Sequence, residues 1–474
     1  MVFSSIIFLL FFLPIFLLGY EIIGKRFKNH FILLSSIAFY TWGAPEFVFI
    51  LMASTIIDFY LVKNIHKTTN KGRKRLFLGI SLSMNLGLLA YFKYANFFVD
   101  NFNLVLNEMG FESVGWTSVL LPIGISFYTF QTLTYAIDVY RNMHAPLKKM
   151  SDYLLYIMSF PQMIAGPIVK YNSIADQIIE RKETIDDKLQ GVIRFCVGLG
   201  KKVLIANVMG QQADLIMNSP LDDISMGYAW LGIIAYSFQI YFDFSGYSDM
   251  AIGLGKIMGF SFPENFNNPY NSKSITEFWK RWHITLGQWM RDYLYIPLGG
   301  NKVSSNTRLF FNLGTVFLIS GLWHGASWNF VIWGGFHGFF LILDRLFLKK
   351  ALKKMGGFFS VIFTYTLVLI GWVFFKLEEF SEATAYIGKM FSFDFINKSS
   401  EIISSFNFTV VLAIIFSFIG LFKFGQKWEQ KLYYNTTPTL TWSVSWMSIA
   451  ILILIVSISS LAAEGFNPFI YFRF

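Results

Sequence analysis

The sequence predicts an all-α polytopic membrane protein, and three observations carry the prediction. The chain is 54% hydrophobic and only 14% charged, against about 25% charged residues in a soluble domain. Its mean hydropathy is +0.50, and the apolar residues gather in runs of roughly 17–25, the length that crosses a hydrocarbon core. Those runs are continuous and not alternating. Backbone in lipid must satisfy its own hydrogen bonds, which leaves helices or closed barrels; continuous runs select helices.

Taken in order, the candidate spans are about 2–20, 31–44, 46–62, 76–95, 118–139, 152–169, 190–217, 227–258, 309–323, 326–347, 358–376, 406–423 and 440–462. The run from Val2 to Tyr20 lacks a basic leader and a small-residue cleavage site, so it reads as a retained span. Phe160-Pro161-Gln162 through Gly166-Pro167 interrupts 152–169 twice, because proline removes a donor and clashes with the preceding turn. A broken or re-entrant segment is expected there, tolerable only where protein or a cavity covers it. Residues 264–308 are too polar to span. Within them Phe278, Trp282, Thr285, Leu286, Trp289 and Tyr293 recur at helical spacing, with Lys280, Arg281 and Arg291 elsewhere. That pattern predicts a helix lying in the membrane interface, apolar face down. No internal repeat emerges.

Net charge is +10. In a chain this apolar it reflects basic cytoplasmic loops, and nucleic-acid binding is not expected. The basic clusters are Lys63 to Arg75, Arg141 to Lys149, Lys349 to Lys354 and Lys423 to Lys431; all four should face the cytoplasm. Residues 96–117 hold acidic groups and no Lys or Arg, and 377–405 are acid-rich, so both should face outward. The last span then ends outside, which makes the C-terminus extracytoplasmic. Cys196 is the sole cysteine, which excludes an internal disulfide and a Cys-rich metal site; no metal is expected.

Chemistry concentrates in residues 243–338. His324, in Gly321-Leu322-Trp323-His324-Gly325-Ala326, is an ionisable group in an apolar run, and such groups mark pathways or sites. Its near-neutral pKa suits general-base work; a hydrogen-bonded core histidine is the alternative. His337 lies thirteen residues on, roughly 220° around one helix, and reads as structural. His283 sits beside Trp282, among Lys280, Arg281 and Arg291. Cations and indole rings, Trp282 and Trp323 included, suit a phosphorylated, nucleotide-bearing donor, or equally lipid headgroups. Asp243 and Asp249 fall inside an apolar run. They either orient a histidine or arginine, or pack helices together with Ser245 and Gly246.

Together these residues resemble the membrane-bound O-acyltransferase family. The resemblance rests on Gly-Leu-Trp-His-Gly-Ala at 321–326 with Arg-Trp-His-Ile-Thr-Leu at 281–286. Leu121 to Tyr128, Phe160-Pro161-Gln162, Ala165 to Ile168 and Tyr241 to Ala251 resemble its bacterial branch, which acetylates alginate or peptidoglycan and has relatives that D-alanylate teichoic acid. The likeness runs from about residue 115 to the end. It implies a ring of about 11–13 transmembrane or re-entrant helices around a central tunnel. It also implies His324 as the catalytic histidine and His283 as the second signature position. The division it suggests is 1–115, N-terminal helices; 116–350, catalytic core; 351–462, C-terminal helices; and 463–474, an extracytoplasmic tail.

That tail carries Phe469, Tyr471 and Phe474 in an F-x-Y-x-x-F pattern resembling a motif held to relay the acyl group in this family. Twelve extended residues reach about 40 Å, against a core about 30 Å thick, so Tyr471 could meet His324. An aromatic belt anchoring the terminus is the alternative. The resemblance implies acetyl-CoA as donor substrate, with no bound cofactor. It implies transfer across a bacterial inner membrane to an envelope polysaccharide, leaning to peptidoglycan or another wall glycan over alginate. The chain has no Gly-Asp-Ser nucleophile domain, so an extracytoplasmic SGNH/GDSL-type partner is expected. A transporter or flippase for an envelope precursor is the competing class; it predicts repeat symmetry and paired broken helices.

Overall fold

The computed structural model describes residues 2–395, 405, 407–421, 423–434, 439–463, 465 and 470. Among these the regular structure is helical throughout, as the unbroken apolar runs require. The chain forms two compact units: Met1–Glu183 with Met258–Phe262, and Thr184–Ile257 with Pro263–Phe474. The compact units divide after residue 183. The motifs at 121–128 and 160–168 belong to the first unit, and His283 and His324 to the second.

The first unit contains α1 (Leu13–Ile22), α2 (Lys28–Gly43), α3 (Val48–Lys67), α4 (Lys71–Glu108), α5 (Ile125–Tyr140), α6 (Met150–Met158), α7 (Phe160–Met163) and α8 (Tyr171–Ile179). Helix α4 runs 38 residues, about 57 Å at 1.5 Å per residue, so part of the expected outward loop 96–117 is helix. Asn70 caps its start, accepting from the Gly72 and Arg73 amides. No proline or glycine interrupts it between Gly87 and Gly110. Helix α5 starts at Ile125, later than expected, because Pro122 precedes it and Gly124 takes φ +77°. The double interruption expected at 152–169 is present: α6 ends at Met158, α7 has four residues, and residues 153–169 are all buried.

The second unit is built around α9 (Ile185–Gly200), α10 (Val208–Met217) and α11 (Met226–Ile257). Helices α9 and α11 touch backbone to backbone. A Cβ on Gly198 would lie 2.6 Å from the Gly246 carbonyl oxygen, and one on Gly246 would lie 2.6 Å from that of Gly198. Gly191 and Gly253 repeat the contact. Each helix spaces its glycines seven residues apart, so two turns of an antiparallel pair close together. Between α9 and α10 the chain stays helical through a π segment, Lys201–Asn207. Its i to i+5 geometry turns the consecutive residues Lys201 and Lys202 both toward α11, where they meet Asp249 and Asp243.

The remainder comprises α12 (Ile275–Arg281), α13 (Ile284–Met290), α14 (Asn306–His324), α15 (Trp328–Leu343), α16 (Lys349–Met355), α17 (Gly357–Lys376), α18 (Phe380–Met390), α19 (Phe408–Leu421), α20 (Lys423–Tyr433) and α21 (Leu440–Ala463). Among the described residues, five helical stretches are long and apolar enough to cross a membrane: Val48–Lys67, Lys71–Glu108, Trp328–Met355, Gly357–Lys376 and Leu440–Ala463. The protein is an all-α, multi-pass membrane protein.

Candidate active site

His324 is the last residue of α14, and extended Gly325 ends the helix. A three-residue turn leads into α15. The two helices approach until a Cβ on Gly321 would lie 2.2 Å from the Phe330 carbonyl oxygen. Gly321 thus admits backbone and Gly325 the Phe330 ring, and that approach seats Trp333 on the histidine. His324 is 5% exposed. Three rings meet it edge-on: Trp323 at 5.0 Å, Trp333 at 5.1 Å and Phe375 at 5.2 Å between centroids. It opens on a pocket of about 20 Å³, room for roughly one water. The other walls are Ile240, Phe244, Trp282, Trp372 and, from the C-terminal tail, Ile470.

The expected single interfacial helix over 275–293 is instead two helices, broken at Trp282 and His283. His283 adopts the left-handed conformation, φ 43° and ψ 55°, rare for a residue with a Cβ and characteristic of functional sites. Residues 265–267 run beside the break: the Asn267 amide donates to the Arg281 carbonyl (2.9 Å) and the Ile284 amide to the Asn265 carbonyl (2.8 Å). Tertiary hydrogen bonds thus supply what the helix forgoes, a choice that helical spacing alone does not reveal. The break carries Trp282 and His283 inward, 3% and 1% exposed.

The Asn265 side chain fixes the His283 tautomer. Its Oδ1 accepts from the Thr285 amide (3.3 Å) and hydroxyl (2.9 Å). The His283 Nδ1, 3.1 Å from the same oxygen, must therefore donate. Nε2 keeps its lone pair and has no hydrogen-bond partner among the described residues. Burial pushes the imidazole down to about 3, so His283 is neutral at physiological pH. Trp323 lies between the two histidines, 6.2 Å from His283 and 5.0 Å from His324.

A second, polar cavity of about 170 Å³ lies on the neighbouring stripe of α11. Its lining includes Arg194, Lys201, Asp249, Glu264, Glu429 and Tyr433. Asp249 sits at the centre. Its Oδ1 accepts from Arg194 Nη2 at 2.8 Å and its Oδ2 from Lys201 Nζ at 2.9 Å. Glu264 takes two further bonds from Arg194, 2.7 and 2.6 Å, and Glu429 pairs with Lys201. Three carboxylates thus face two cations. Phe244 belongs to the His324 pocket and packs 5.8 Å from Phe266 of the polar cavity. Tyr241 of the cavity packs 6.2 Å from Trp282 of the pocket. A wall of aromatic rings separates the two spaces.

The structure therefore brings together His324, Trp323, Trp282 and His283. It does not bring Lys280, Arg281 and Arg291 to either cavity. Lys280 is exposed, Arg281 bonds Glu277 at 2.6 Å, and Arg291 bonds Asp292 at 2.7 Å. Asp249 orients Arg194. Asp243 pairs with Lys202 at 2.7 Å and accepts the Ile470 amide at 3.0 Å. Tyr471, with Phe469 and Phe474, lies outside the described residues. His337 is fully buried among Trp279, Trp333 and Phe336. It stands on α15, not on the helix of His324, so the angular comparison over thirteen residues does not apply; what the two histidines share is Trp333. Sequence reading missed Arg194, Lys201, Lys202, Glu264 and Asn265. Its available signal was the seven-residue spacing of Arg194 and Lys201 inside an apolar run, in phase with Gly191 and Gly198.

Residues 148–377 match the model of the membrane-bound O-acyltransferase family. The chain is 39% identical to the probable alginate O-acetylase AlgI of Pseudomonas putida, over 100% of both chains. It is 32% identical to the peptidoglycan O-acetyltransferase of Helicobacter pylori, over 100% of this chain and 98% of that one. It is 30% identical to the teichoic acid D-alanyltransferase of Bacillus subtilis, over 54% of this chain and 69% of that one. An apolar, histidine-bearing pocket in a multi-pass helical chain, with full-length similarity to acetyltransferases, leads to one conclusion: the chain belongs to the membrane-bound O-acyltransferase family and is an acyltransferase.

Proposed function

We propose that the protein carries acetyl groups from cytoplasmic acetyl-CoA across a bacterial cytoplasmic membrane for O-acetylation of an envelope polysaccharide. His324 is the general base and Tyr471 the transient acceptor. The imidazole takes the phenol proton, and the phenolate oxygen attacks the thioester carbonyl. The C–S bond breaks, and the leaving thiolate recovers the proton from the imidazolium. The aryl ester keeps its transfer potential because phenolate is a good leaving group, phenol having a pKa near 10. A serine of an extracytoplasmic SGNH-type partner then takes the acetyl group and passes it to the glycan. Neutral His283 offers its Nε2 lone pair as an acceptor that helps position the donor.

One observation supports this reading above the others. Ile470, the residue before Tyr471, lines the same pocket as His324, which supports the tail as the bearer of the acceptor. The basic clusters put the cytoplasm on the side of α16. The higher identity to alginate O-acetylases than to the peptidoglycan enzyme moves the expected acceptor from wall glycan toward alginate type. The test is to label membranes with radioactive acetyl-CoA and follow label into protein and glycan. Loss of both in His324→Ala, and of glycan label in Tyr471→Phe, is the expected result. Equal glycan label in Tyr471→Phe and wild type removes the relay.

A further inference from the structure

Asp243 and Lys202 form an ion pair whose side chains are 2% and 3% exposed. A pair this dry is costly to bury and invites a use. One carboxylate oxygen, Oδ1, faces Lys202; the other, Oδ2, accepts the backbone N–H of Ile470 at 3.0 Å. Ile470 is 227 residues away in sequence, on the tail, and 8% exposed. Its side chain fills one side of the His324 pocket. The tail is therefore held at two points of one residue, its main chain by a charge-assisted hydrogen bond and its side chain by apolar contact. The next Cα follows at about 3.8 Å.

We propose that Asp243 is the positioning residue for the acyl-accepting tail. Its carboxylate, held by Lys202, fixes the main chain at Ile470 beside the His324 pocket. This rests on the reading of Tyr471 as acceptor. The carboxylate reads the main chain, so its half of the hold is lost with the amide, whatever side chain stands at 470. The two-point hold also explains why an ion pair sits at this depth beside an apolar pocket: the lysine anchors the carboxylate, and the carboxylate anchors the tail.

The test uses the full-length protein in detergent, with two readouts: hydrogen exchange of the peptide covering Ile470, and acetyl-CoA-dependent acetylation of Tyr471 by mass spectrometry. In Asp243→Asn, the Ile470 amide should exchange at least about tenfold faster and Tyr471 acetylation should fall at least about tenfold. Ile470→Pro removes the donor together with the pocket-filling side chain, leaves the ion pair whole, and should lose acetylation at least to the degree of Asp243→Asn. Ile470→Leu keeps the amide and should retain most of it. The double variant should be no worse than either single one. An unchanged exchange rate in Asp243→Asn, or full acetylation in Ile470→Pro, overturns the clamp and leaves the relay standing. A wild-type tail that never gains acetyl overturns the relay, and with it the purpose assigned to the clamp.

Discussion

The pocket at His324 and the cavity at Arg194 are built against the same helix from stripes one residue out of step. Ile240 and Phe244 face the pocket; Tyr241, Ser245, Ser248 and Asp249 face the cavity. A third stripe, Gly246, Met250 and Gly253, meets α9. One side of the helix thus serves an almost wholly apolar space of about 20 Å³, the next a charged space of about 170 Å³. The difference separates two tasks. Besides His324, the pocket is lined by aliphatic and aromatic side chains. In the cavity each charge is held by an opposite one, so the ions stabilise the unit and give polar groups a place to enter. Under the proposed acyl transfer, the rings between the two spaces serve to keep water of the second from an activated acyl group in the first.

This comparison can be broken, and the largest effect comes first. His324→Ala should lower acetyl transfer by about 10²–10⁴-fold, the range for removing a general base, while the protein still folds; a variant with full transfer ends the assignment. Arg194→Ala should do the reverse. It takes one of the two cations of Asp249 and the arginine of the partly exposed Glu264; removing one partner of a buried pair costs up to about 3–5 kcal/mol, read as lost folding yield and a lower melting temperature. If Arg194→Ala folds normally and only loses transfer, the division of labour is wrong.

His283 predicts a pH effect of known sign. Unfolded, its ring protonates below about 6.5, whereas the buried ring resists until about 3. The unfolded state therefore binds more protons in that window, and stability falls as pH drops through it. The cost at pH 5 is about 2 kcal/mol. His283→Asn tolerates the left-handed backbone and should lose less stability between pH 7 and pH 5; an identical loss means the ring is not the titrating group. Phe244→Leu thins the wall at about 1 kcal/mol in stability and should raise acetyl-CoA hydrolysis without acceptor. Equal hydrolysis shows that the wall lies elsewhere. Smallest of all is Arg281→Gln, whose partly exposed pair with Glu277 is worth about 0.3–0.5 kcal/mol. KM for acetyl-CoA should not change; a rise restores the cationic face of α12 as a donor site.

Much of this was legible because lipid restricts the choices. The expected spans near 46–62, 227–258, 309–323, 358–376 and 440–462 correspond to α3, α11, α14, α17 and α21 within a few residues, since apolar run length is itself the physical requirement. The broken segment around Phe160 was legible because proline is unfavourable beyond a helix's first turn, and Pro161 stands in the first turn of α7. His324 stood out because an ionisable group among Gly, Trp and Ala has few bland explanations. Helical periodicity reports the basic stripe that includes Arg281 and Arg291 and not its partners. Glu277 and Asp292, both local, occupy Arg281 and Arg291. The break at His283 was invisible, because what sustains it is Asn265, eighteen residues earlier and on a loop.

By itself, then, the amino-acid order determined that this chain is helical, crosses a membrane repeatedly and sets an ionisable histidine, His324, within an apolar run. These follow from local composition and from the cost of unpaired backbone in hydrocarbon. Only the tertiary structure decided which charges neutralise one another, that two cavities flank one helix, that His283 is neutral with a lone pair inward, and that Ile470 lies beside His324. Each of these depends on contacts between residues far apart in sequence, and no short-range pattern encodes where the chain's distant segments will meet.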